Sequence, residues 1–144
     1  MRIARRLSLF AVLAATIWSI GCHRPGLGGG PSPSYPVPLF IENHGYLDVA
    51  VYAMRTSSGP HTRIGTVTGL SKARVIVPAT ELQTGGSLML YLHAIGSARS
   101  WVSPAVLVSS DDAAVLEIYA DPDGGLSRST LYTRAIDDSS STDR

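Results

Sequence analysis

The chain has 144 residues, with 12 basic side chains, 11 acidic ones, four histidines and a single cysteine. A length of this order suits one domain, and one cysteine excludes an intrachain disulfide, so the fold must rest on apolar packing. Three of the basic residues are Arg2, Arg5 and Arg6; without them nine basic residues face eleven acidic ones, a net of −2, which leaves no basic patch for a nucleic acid or an anionic membrane surface.

The N-terminal segment decides the predicted destination. After the arginines, Leu7 to Ile20 is apolar apart from Ser8, Thr16 and Ser19, and carries no charge. This run of about 14 residues falls short of the roughly 20 that span a bilayer as a helix. A basic start, a short apolar run and the small Gly21 predict an export signal over residues 1–21. Ser19-Ile20-Gly21-Cys22 resembles the lipobox of bacterial lipoproteins, with Ser19 where that pattern usually has Leu. The resemblance implies that Cys22 is acylated, becomes the new N-terminus and attaches the protein to the cell envelope. In a diderm host, His23 rather than Asp after the cysteine implies the outer membrane. Ser-x-Gly also suits ordinary secretory cleavage, which is the alternative. Arg5-Arg6 faintly resembles a twin-arginine signal, but the residues after it match poorly.

Residues 22–36 are predicted to be a tether. Gly26, Gly28, Gly29 and Gly30 make it flexible, and Pro31, Pro33, Pro36 and then Pro38 stiffen it toward extended geometry. From Val37 the pattern changes to short β-branched and aromatic runs between Gly, Pro, Asn and Asp. Val37 to Asn43 predicts a first strand, and Asn43-His44-Gly45 a turn, in which Gly45 is able to take positive φ at no steric cost. Tyr46 to Arg55 predicts a second, with Leu47, Val49, Val51 and Ala53 on one face and Asp48 and Tyr52 on the other. Thr62 to Thr68 and Lys72 to Val77 follow, joined across Gly69-Leu70-Ser71, and Pro78 stops the fourth strand. Ser87 to Ile95 is the most apolar, with Leu88, Leu90 and Leu92 on one face and Met89, Tyr91 and Ile95 on the other. It is expected to be central and covered on both sides. Pro104 to Ser109 and Ala113 to Ala120 continue the series, with a turn at Asp111-Asp112. Asp121-Pro122-Asp123-Gly124-Gly125 is a hairpin signal before a possible edge strand, Ser127 to Arg134. Residues 136–144 are expected to be a disordered, serine-rich tail.

Seven to eight short strands without helical periodicity predict an all-β fold: a single antiparallel β-sandwich over residues 37–135, with a small barrel as the alternative. Phe40-Ile41-Glu42-Asn43, Arg63-Ile64-Gly65-Thr66-Val67 and Ser103-Pro104-Ala105-Val106 resemble small bacterial lipoproteins with an immunoglobulin-like or transthyretin-like sandwich. The likeness spans Val37 to Ala120. It implies fold and envelope location; its motifs are structural, and the group it resembles is largely uncharacterised.

The search for chemistry is mostly negative. No Gly-x-Ser-x-Gly elbow is present. His44, His61 and His93 stand apart, with no cysteine partners for zinc. Asp121-Pro122-Asp123-Gly124 resembles the start of a calcium loop but lacks a distal bidentate glutamate, leaving only a sandwich-loop site shared with Asp111 and Asp112. No catalytic residue, metal ligand or cofactor is therefore expected. Tyr46, Tyr52, Tyr91 and Trp101 are candidate platform aromatics as well as core filling. Trp101 is the preferred ligand contact, because Gly96 to Ser103 reads as a loop. The expectation is a non-enzymatic envelope protein, held to the membrane by a lipid on Cys22, that presents its sandwich to another envelope component through an exposed edge strand. A small-ligand or glycan-binding module using loop aromatics is the alternative. A hydrolase whose site is assembled only in the fold is the third reading.

Overall fold

The computed structural model describes residues 35–136. The signal segment, Cys22, most of the tether and the tail from residue 137 onward lie outside them. Ten strands follow one another: β1 (Val37–Asn43), β2 (Val49–Met54), β3 (His61–Val67), β4 (Lys72–Val77), β5 (Ser87–Leu88), β6 (Leu90–Ala94), β7 (Ser100–Val102), β8 (Val106–Leu107), β9 (Asp112–Ile118) and β10 (Thr130–Ala135). A single 3-10 turn, Ala79–Glu81, interrupts them. In β1 the period of two is direct: Val37, Leu39, Ile41 and Asn43 are buried, while Pro38, Phe40 and Glu42 between them are half-buried.

The strands form two four-stranded sheets packed face to face. Sheet A has the order β10-β9-β1-β4 and sheet B the order β3-β2-β6-β7; β5 and β8 make a short separate ribbon. Every pairing is antiparallel except β1 with β9, which run parallel. A parallel neighbour needs a long crossover, and here the connection passes through sheet B before returning. The inner faces supply the core. Across sheet A, Leu131, Leu116, Ile41 and Ala73 form one row; across sheet B, Gly65, Val51, Leu92 and Trp101 form another. These rows belong to one continuous apolar cluster, with Ala73 and Trp101 packed at its margin. At the β3–β4 side the sheets come so close that a Cβ on Gly65 would stand 3.0 Å from Val75 Cγ1.

Several local expectations need correction. Residues 44–48 cross from sheet A to sheet B rather than making a hairpin, so β2 begins at Val49 and Tyr46 is 84% exposed. Gly45 does not take positive φ; at this corner Leu70 does (φ 54°). Gly45 instead meets a space limit, since a Cβ would lie 3.3 Å from both Ala120 Cβ and Asn43 Oδ1. The Ser87–Ile95 run is broken at Met89, because Ser87 and Leu88 pair with β8 whereas Leu90 onward pairs with β2. β6 is central within its sheet but covered on one face only: Tyr91 and His93 are half-buried, and Ile95 is exposed. Gly96 to Ser103 is not all loop, since Ser100–Val102 forms β7.

Candidate functional site

Three surface regions hold the chemistry-bearing residues. The first is a cleft of about 170 Å³ at the sandwich corner, lined by Glu42, Asn43, His44, Leu70, Ser71 and Lys72. It brings a histidine, a carboxylate and a serine to one place. Their bonds point elsewhere. Ser71 Oγ donates to the Thr68 carbonyl at 2.8 Å. His44 stacks on Tyr119, with ring centroids 4.6 Å apart, and its Nε2 stands 3.9 Å from Glu42. Glu42 is held by Lys72 at 2.9 Å, and that bond keeps its carboxyl below the ordinary value. A serine nucleophile needs a base within hydrogen-bond reach, and no hydrogen bond joins Ser71 to His44 here.

The second region is the outer face of sheet A, where the charges answer one another. Phe40 lies between Arg74 and Arg134, whose guanidinium carbons are 5.3 and 4.9 Å from its ring centre. Glu117 accepts the hydroxyls of Tyr119 at 3.1 Å and Tyr132 at 2.9 Å. Hydrogen bonding to the Glu117 carboxylate raises both phenols above 10.0. A raised folded value means that the contribution of these bonds is present below the ordinary phenol range and is lost as pH rises through the folded values. Glu117→Gln is therefore expected to lower the alkaline midpoints of two tyrosines in a phenolate absorbance titration. Unchanged midpoints would refute the link.

The third region is the outer face of sheet B. Arg63, Tyr52, Tyr91 and Val102 are register partners in one row across all four strands. Thr66, Ala50, His93 and Ser100 form the next row, and His61 lies opposite Met54 on the other side. Tyr52 and Tyr91 have centroids 5.8 Å apart, and His61 reaches over to stack on Tyr91 at 4.8 Å. Met54 and Ala50, on the same side of β2 as Tyr52, are both buried. Among the described residues the tyrosine hydroxyls held by hydrogen bonds are those of Tyr35, Tyr119 and Tyr132; those of Tyr52 and Tyr91 are free. A bulge at Ile64, between the pairs Val51–Gly65 and Tyr52–Arg63, sets Arg63 level with the tyrosines.

The residues singled out in the sequence are thus dispersed. Tyr52 and Tyr91 come together, Tyr46 sits apart on the crossover, and Trp101 turns its ring inward against the core at the edge of sheet B. His61, which sequence reasoning did not group with the tyrosines, joins them because β3 pairs with β2. The loop carboxylates close loops: Asp121 accepts from Ser127 N at 3.0 Å and Ser127 Oγ at 2.7 Å, and Asp112 from Ser109 N at 3.0 Å. Asp123 accepts from Gly125 N and Arg99 at 3.1 Å each, and these bonds lower its carboxyl. Among the described residues no group of three His, Cys, Asp or Glu side chains is arranged to hold a metal ion, and no helix is long and apolar enough to cross a membrane. Cys22 lies outside the described residues. No protein-family model matches this chain, and no curated protein matches it.

Proposed function

We propose that this chain is a non-enzymatic binding protein of the cell envelope, anchored by a lipid on Cys22, that holds another envelope component on the outer face of sheet B. The observation that carries the binding surface is the row Arg63, Tyr52, Tyr91 and Val102, which puts a cation and two tyrosine hydroxyls without hydrogen-bond partners among the described residues on one face. The edges favour this face over strand addition. β3 is bulged, β4 carries Lys72 and Arg74, β10 carries Arg134, and β7 is three residues long with Pro104 close behind it. Charges, bulges and short strands are the usual ways of blunting an edge. The anchor rests on the signal segment and the lipobox-like Ser19-Ile20-Gly21-Cys22.

Two measurements test the two parts. A photoreactive side chain at Val102, 46% exposed on the sheet B face, should cross-link to an envelope component in intact cells. The same group at Ile76, 51% exposed on sheet A, should not. Equal labelling, or none at Val102, refutes the surface. For the anchor, the intact mass of the mature protein should include acyl chains, and Cys22→Ala should release the protein or leave it unprocessed. One chain alone binds membranes marginally, so two or more are expected. An unacylated mature chain in a soluble fraction refutes the anchor.

A further inference from the structure

We infer that the outer face of sheet B takes an acidic polysaccharide, with Tyr52 and Tyr91 stacking on sugar rings and Arg63 pairing with a carboxylate of the chain. The inference rests on the binding face proposed above and names its ligand class. A pyranose has an apolar C–H face and a hydroxyl rim. A ring that is apolar in its body and polar at its tip complements both, as tyrosine does. Here the two rings have centroids 5.8 Å apart, are tilted by 55° to each other and are half-buried; His61 stacks on one face of Tyr91, and the hydroxyls of Tyr52 and Tyr91 have no hydrogen-bond partner among the described residues.

The charge on this face selects among polysaccharides. β2, β3, β6 and β7 contain no Asp or Glu; their ionisable side chains, apart from the tyrosines, are Arg63, His61 and His93. Asp48, just before β2, is turned to the Gly69 amide at 3.0 Å. Arg63 bonds only Thr66 among the described residues, so its guanidinium keeps donors for a carboxylate, which it matches as a fork. Sheet A lacks this bias, because Glu42 and Glu117 share its outer face with the cations. An apolar peptide is a poorer occupant: the side chains of Met54 and Ala50 are already covered, and the exposed aliphatic side chains, Val102 at the row's end and Ile95 beyond the end of β6, stand at the margins of the face.

The test uses the full chain in detergent and two probes, an oligogalacturonate and a neutral maltooligosaccharide of equal length, titrated by calorimetry. Saturable binding of the acidic oligomer is expected, at least tenfold tighter than the neutral one. Tyr52→Ala and Tyr91→Ala should each weaken it at least tenfold, and Arg63→Gln should bring it level with the neutral probe. Should the alanine variants unfold, Val102→Asp places a carboxylate at an exposed position of the same row and should abolish binding of the acidic oligomer. The inference is overturned if the acidic oligomer gives no saturable isotherm. It is equally overturned if binding survives loss of either ring, which would mean charge attraction alone. If it fails while the cross-linker at Val102 still labels an envelope protein, the binding face stands and only its ligand class is wrong. If both fail, the face itself is not a binding site.

Discussion

Replacing Asn43 with alanine is expected to lower the unfolding free energy by about 3 kcal/mol, since each of three lost hydrogen bonds contributes roughly 1 kcal/mol. Asn43 ends β1 and is 3% exposed. Its Nδ2 donates to the Leu47 carbonyl at 2.9 Å and the Thr68 carbonyl at 3.1 Å, and its Oδ1 accepts from the Gly45 amide at 2.9 Å. Leu47 and Gly45 belong to the crossover between β1 and β2; Thr68 belongs to the one between β3 and β4. One side chain therefore ties together two passages between the sheets. The backbone reinforces the knot: Leu70 N donates to the Gly45 carbonyl at 2.8 Å, and a Cβ on Gly69 would overlap the Tyr46 carbonyl. Alanine can replace none of the three bonds. Urea unfolding should show a lower midpoint with an unchanged slope. A loss below about 0.5 kcal/mol, the range of an ordinary surface change, would mean that the corner holds without Asn43.

That corner also shows where sequence reasoning runs out. Asn-His-Gly has the composition of a tight turn, and nothing local says that the chain must leave one sheet for the other. β1 and β4 have the bounds that alternation predicts, Val37–Asn43 and Lys72–Val77, because each alternates between a more buried and a more exposed face and has a clear stop. β7 was hidden because three residues are too few for a period, and the break at Met89 because a strand that changes sheets keeps its alternation. Pairing is the larger gap. Tyr52 and Tyr91 were visible as candidates, but their meeting depends on the β2–β6 register, which is a long-range choice. His61 was visible only as an isolated histidine, and its stacking on Tyr91 follows from that register together with β3–β2 pairing. Gly96 to Ser103 reads locally as a loop, and a half-buried place for Trp101 beside the core follows once Trp101 pairs with Leu92.

Leu116→Ala is expected to cost about 4 kcal/mol, within the range for truncating a buried leucine when the cavity cannot collapse. Leu116 is fully buried at the middle of β9, with Ile41 beside it on β1 and Leu131 on β10. Neighbours held in a hydrogen-bonded sheet cannot close in on the space, since moving one shifts a whole strand. The parallel β1–β9 pair runs through this residue, joining an early segment to a late one, so the void would weaken the longest-range contact of sheet A. No disulfide is available to compensate, as the chain has one cysteine. Domains of this size are stable by about 5–15 kcal/mol in total, and the midpoint should fall by roughly 15–30 °C. Ile76→Ala removes a similar volume from a side chain that is 51% exposed on the outer face of the same sheet. It should change stability by no more than about 1 kcal/mol, because less apolar area is withdrawn and no cavity forms. Equal losses for the two variants would show that the inner row of sheet A is not the core it is described as.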